Sequence, residues 1–112
     1  MTSPRILPSV LGDNERRIEV FIVVHHTITD PATAFPRGEN LLAGNGAPSG
    51  VQVREFYPSR DKADVFCLWE GNSLEDVREY VDATMGNSSR NVYFEVDAEI
   101  ARGLPELASS PA

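Results

Sequence analysis

ADVFCLWE, Ala63 to Glu70, is apolar at both alternating parities, and so is RIEVFIVVHHTI, Arg17 to Ile28, from Ile18 through Val24. A strand with one wet face alternates apolar and polar residues, whereas a strand apolar on both sides is covered on both faces. Two other stretches do alternate. Val51 to Tyr57 sets Val51, Val53 and Tyr57 against Gln52 and Arg54 for part of its length, and Asn91 to Asp97 sets Val92, Phe94 and Val96 against Tyr93, Glu95 and Asp97. The two-sided pair belongs in the middle of a sheet and the alternating pair at its edges.

Helical signals fill two of the gaps. Asp30-Pro31 is an N-cap and first-turn pair, but Pro36 and Gly38 interrupt the segment beyond it, which predicts a broken or two-part helix. Turn residues then run from Gly44 to Gly50. After the third strand, Asn72 or Ser73 caps a second helix with Asp76 at the capping-box spacing. Leu74, Val77, Val81 and Met85 form its apolar stripe and Gly86 suits its C′ position. The resulting order is β-α-β-β-α-β, the split βαβ arrangement of the α+β class, whose two right-handed crossovers give the spatial strand order 4-1-3-2. That order places the two-sided strands centrally, so pattern and topology agree. Both helices cover one face of such a sheet. A second copy of the chain is the economical cover for the other, giving a homodimeric α+β barrel with a cavity between the sheets or at each helix-free face. The competing cover is the chain's own N-terminal tail, with the protein a monomer.

With 112 residues, 41% of them hydrophobic and 24% charged, the chain fits one globular domain. Residues 1–14 and 105–112 are proline-containing and without periodicity, so they read as flexible tails flanking a domain at 15–104. Ten basic against seventeen acidic residues give a net charge of −7, which argues against nucleic acid or an anionic membrane as partner. The longest apolar run is too short to span a bilayer and the N-terminus lacks a signal-peptide core, so the expectation is a soluble, cytoplasmic protein. The lone Cys67 offers neither a disulfide nor a CxxC metal site. No GxGxxG, Walker A, GxSxG or HExxH pattern occurs, so nucleotide cofactors have no sequence support.

VFCLWEGNSLEDVREYV and the preceding VVHH strand resemble the short ferredoxin-like families of dimeric α+β barrels. They resemble in particular a family of unknown function that includes a nickel-binding protein, and more distantly the monooxygenase-type barrels of antibiotic biosynthesis. The similarity covers Ala63 to Val81, together with His25 and His26 where that family carries a histidine near the end of its first strand. The resemblance implies a ferredoxin-like homodimer and a choice between cofactor-free isomerase, cyclase or monooxygenase chemistry and binding of nickel or another divalent transition metal. Fold alone does not choose between them.

Treating the first and third strands as parallel neighbours brings His25 and His26 to the edge of the sheet that holds Trp69 and Glu70, and so selects the candidate site. Side chains alternate along a strand, so only one of the two histidines faces the cavity. An imidazole beside Glu70 would form a proton-transfer pair, with the carboxylate fixing its tautomer. The plainer alternative is a solvated strand end. Arg54, antiparallel to the end of the third strand, is placed to hold an oxyanion or to pair with Glu70. Tyr93 offers a phenolic hydrogen bond or simple cross-strand packing. For a metal, His25 and His26 are the candidate ligands, yet neighbours on one strand do not readily share an ion, and three or four ligands are needed. Cys67 and Trp69 read as core. The leading expectation is a cofactor-independent enzyme or binding protein for a small apolar organic molecule, using His25, His26, Glu70, Arg54 and Tyr93. The alternatives are a transition-metal binder and a non-catalytic dimeric module.

Overall fold

The computed structural model describes residues 19–107. Its elements are β1 (Val20–Ile28), α1 (Pro31–Leu42), β2 (Gln52–Pro58), β3 (Asp64–Gly71), α2 (Leu74–Met85), a 3₁₀ turn (Gly86–Ser88) and β4 (Ser89–Glu95). They form an α+β fold compatible with the ferredoxin-like arrangement, one four-stranded sheet with two helices on one face. The sheet order is β2-β3-β1-β4, which counts as 4-1-3-2 from the β4 edge. The expected tail at 1–14 lies outside the described residues.

Every strand pair is antiparallel, β1 with β3 included. This corrects the expectation of parallel central strands. One helical crossover makes β2 run the same way as β1, and the hairpin from β2 to β3 then reverses the chain once more. Val24 pairs with Cys67, so the end of β1 lies beside the start of β3: His25 opposes Phe66 and His26 opposes Val65, while Glu70 opposes Phe21.

The parity of β1 divides the sheet into its two faces. Ile22, Val24 and His26 point to the helices with Val65, Cys67 and Trp69 of β3, and all six are buried. Trp69 anchors this core, its ring 5.9 Å from that of Tyr80 at 72°. Tyr80 in turn donates a hydrogen bond to the Asn45 carbonyl at 3.0 Å, fixing the loop after α1 to α2. Phe21, Val23, His25, Phe66, Leu68 and Glu70 occupy the opposite, helix-free face.

α1 is continuous through Pro36 and Gly38, contrary to the expected break. Pro36 removes the hydrogen bond to the Ala32 carbonyl, but both residues are exposed, so water can satisfy the freed carbonyl and the cost of a buried orphan is avoided. α2 begins as its sequence indicates: Ser73 caps it, accepting from the Asp76 N–H at 3.1 Å, and Glu75 and Asp76 sit at the positive end of the helix dipole. Gly86 ends it at φ +58°, where an added Cβ would lie 2.5 Å from the Arg37 guanidinium. That guanidinium donates to the Met85 carbonyl and ties α1 to the end of α2.

Part of the helix-free face is covered by the chain's own C-terminal segment. The Val96 N–H continues the ladder to the Phe21 carbonyl. The chain then turns back, Leu104 shares a shallow concavity with Val23 and Leu68, and the Arg54 guanidinium donates to the Glu106 carbonyl at 2.6 Å. Of the expected tail at 105–112, residues 108–112 lie outside the described residues. Phe21 and Leu68 are buried, whereas Phe66, Val92, Phe94 and Tyr57 on the same face are 45%, 43%, 55% and 59% exposed. Ser73→Ala removes the α2 cap and is expected to lower stability by about 1 kcal/mol, read as a lower denaturation midpoint at unchanged m-value; an unchanged midpoint would show that the cap contributes nothing.

Candidate functional site

The expected grouping of His25, His26, Glu70, Arg54 and Tyr93 separates into three places. Glu70 lies five residues along the register from His26, about 16 Å away at the usual strand rise, and on the opposite face. An imidazole oriented by Glu70 is thus ruled out. Glu70 is instead buried to 1% exposure on the helix-free side, where Arg54 donates to it at 2.7 Å. A β-bulge permits this pairing: the β2–β3 register shifts between Val53 and Glu55. It inserts Arg54 as an extra residue and puts Arg54 and Glu55 on the same side. With one more bond from Arg54 to the C-terminal segment, the pair fastens that segment to the sheet.

His25 lies at the other end of the helix-free face. Its ring stacks on Phe66, with centroids 4.4 Å apart and planes 6° from parallel, and its Nε2 is 2.9 Å from Asp64 Oδ1. His26 points the other way, into the helical layer. The two histidines therefore cannot share an ion, and among the described residues no three His, Cys, Asp or Glu side chains gather where they could hold one.

His26 borders the cavity that the fold leaves between α1 and the sheet. The cavity has a volume of about 360 Å³ and is lined by Ile28, Ala34, Phe35, Leu41, Leu42, Phe56, Val65, Cys67 and Met85, with Glu39 and Lys62 as the charged residues on its wall. α1 forms the roof and β1, β2 and β3 form the floor. Its size and apolar lining are those of a small-molecule site. Cys67 is not a nucleophile here, because burial pushes its thiol up to about 12, and the Trp69 side chain opposes that only in part.

The imidazole of His26 is held from behind. Its Nδ1 lies 2.8 Å from Asn91 Oδ1, and Asn91 sits directly opposite it on β4. Ser89 donates to the same amide oxygen at 2.8 Å. The Asn91 amide nitrogen donates to Asp82 Oδ1 of α2 at 3.0 Å, and the Tyr93 hydroxyl donates to that oxygen as well. Tyr93 thereby belongs to the helix-facing network and not to an oxyanion site. Burial pushes the Tyr93 hydroxyl up, and the Asp82 carboxylate adds to the effect. Burial also pulls the His26 imidazole below its ordinary value of 6.5, against the opposing pull of Asn91 and the Asp82 charge. The ring is neutral at neutral pH.

Asn91, Asp82, Ser89 and Asp64 were not singled out by sequence reasoning. Asn91 was only partly within its reach: it opens the alternating run and becomes conspicuous only once the β1–β4 register sets it against His26. Asp82 was not, since nothing local distinguishes it from other helix-surface acids.

A histidine kept neutral in the folded state but free to charge when unfolded releases protons on folding, so its contribution is present above pH 6.5 and is lost as the pH falls through the lowered folded value. His26→Gln, which retains a donor toward Asn91, is expected to flatten the loss of melting temperature between about pH 7 and pH 5; an identical pH profile in both proteins would mean that His26 charges freely in the fold. Compared with known protein families, with curated proteins and with solved structures, the chain matches none.

Proposed function

We propose that the chain binds a small, largely apolar organic molecule in the cavity under α1, with His26 as the group that performs proton transfer on it. The observation that carries this reading is the pairing of an apolar cavity with one buried, neutral imidazole on its floor. A general base must be uncharged at working pH and able to stabilise the charge it acquires. Burial supplies the first condition. The Asp82 carboxylate, linked through the Asn91 amide, favours the protonated ring and supplies part of the second. A substrate with an acidic hydrogen next to a carbonyl would pass that proton to His26 and take it back at another atom, an isomerase-type reaction that needs no cofactor. His25, Glu70 and Arg54 lie outside the cavity and have no part in this step.

A ligand that binds only the folded state stabilises it by RT ln(1 + [L]/Kd), about 2.7 kcal/mol at one hundred times Kd. In a panel of aromatic and alicyclic molecules, binders are expected to raise the melting temperature by several degrees, and Val65→Phe, which fills the cavity floor, is expected to abolish the rise. A panel without a single shift, or shifts that persist in Val65→Phe, would remove the cavity from consideration.

For the exposed part of the helix-free face, we infer a second copy of the chain as partner. Phe66, Val92, Phe94 and Tyr57 lie together on one sheet surface and are each at least 43% exposed, a grouping that soluble monomers seldom display. A homodimer is expected in sedimentation velocity, with Phe94→Lys sedimenting as a monomer; a monomeric parent protein would defeat the inference.

A further inference from the structure

We propose that the molecule held under α1 presents a hydrogen-bond donor, a phenolic or enolic hydroxyl, to Nε2 of His26, and that Asn91 and Asp82 are the positioning residues that keep the imidazole able to accept it. This rests on the cavity being a ligand site, and it specifies the chemistry of the ligand there.

Asp82 sets the direction of the hydrogen bonds that lead to the ring. An ionised carboxylate only accepts hydrogen bonds, so the Asn91 group 3.0 Å from Asp82 Oδ1 must be the amide nitrogen. That sets the amide oxygen toward His26 and Ser89. The Ser89 hydroxyl donates to it at 2.8 Å, and a carbonyl oxygen accepts only. His26 Nδ1, 2.8 Å from the same oxygen, must therefore carry the proton. In a neutral imidazole the other nitrogen is then a bare acceptor.

Nε2 has no hydrogen-bond partner among the described residues, although His26 as a whole is only 3% exposed. The ring lines the cavity under α1, and the nitrogen not engaged by Asn91 is the one left to meet what the cavity holds. Leaving such a group unmet costs stability, and meeting it with an apolar atom recovers nothing. A hydroxyl at that point recovers the bond. An ether or a carbonyl oxygen there would face a lone pair and be rejected, the kind of discrimination that apolar contact alone does not give. The rest of the lining, Phe35, Leu42, Phe56, Val65 and Met85, suits a flat or alicyclic hydrocarbon body.

Two measurements on the full chain test this. Long-range proton–nitrogen NMR of the imidazoles, with His25→Gln to assign the signals, is expected to show His26 protonated at Nδ1 in the parent protein and to lose that preference in Asn91→Leu. A parent protein protonated at Nε2 would overturn the inference. Calorimetric titration with 2-naphthol, 2-methoxynaphthalene and naphthalene is expected to show 2-naphthol binding at least tenfold more tightly than its methyl ether, with the ratio falling toward one in Asn91→Leu. Equal affinity for all three in the parent protein would overturn the donor requirement and leave the cavity reading standing. Failure of all three to bind would overturn both, and an undiminished ratio in Asn91→Leu would remove Asn91 and Asp82 from the positioning role.

Discussion

The antiparallel pairing of β1 with β3, in the register that sets Val24 against Cys67, is the constraint on which the remaining structure depends. It fixes the parity that buries Ile22, Val24, Val65, Cys67 and Trp69 against the helices, and a slip of one residue in β3 would exchange its share of them for Phe66, Leu68 and Glu70. The same register decides which functional groups share an end of the sheet. His25 and His26 join Asp64 and Phe66 at one end, and Glu70 joins Arg54 and the C-terminal segment at the other.

Each of the two ends stores a polar group where water is scarce, and each solves the problem differently. At Glu70 the solution is ionic: a charge held against Arg54, whose side chain is itself 23% exposed, so that desolvation falls mainly on one partner. At His26 the group is kept neutral, and a directed chain of neutral and charged acceptors holds its orientation. A charge pair locks a segment in place. A neutral ring needs only hydrogen bonds to fix its orientation.

The strands and α2 were legible in the sequence because their signals are local: two-sided apolar runs, alternation, and the Ser73, Asp76 and Gly86 termini. The site was less so, because its composition depends on strand direction as well as strand order. Reading β1 and β3 as parallel moved Glu70 from one end of the sheet to the other and created a His–Glu pair that does not exist. The Arg54–Glu70 pairing survived because it required only the β2–β3 hairpin, a short-range relation. Pro36 misled for another reason: its rule concerns a lost hydrogen bond, and exposure, which decides the cost, is a tertiary property. Cover of the helix-free face by residues 96–107 had no signature at all, since that segment has no periodicity.

The bulge at Arg54 has an effect at the margin of the sheet as well as on its face. Unpaired backbone along an outer strand is a template on which another chain can add itself, and regular, flat outer strands are the ones that aggregate. β2 is the outer strand on that side; its ladder is interrupted by the bulge between Val53 and Glu55 and ends at Pro58, which has no N–H to offer. The irregularity that aims a guanidinium at Glu70 therefore also blunts this border against unregulated strand-by-strand growth.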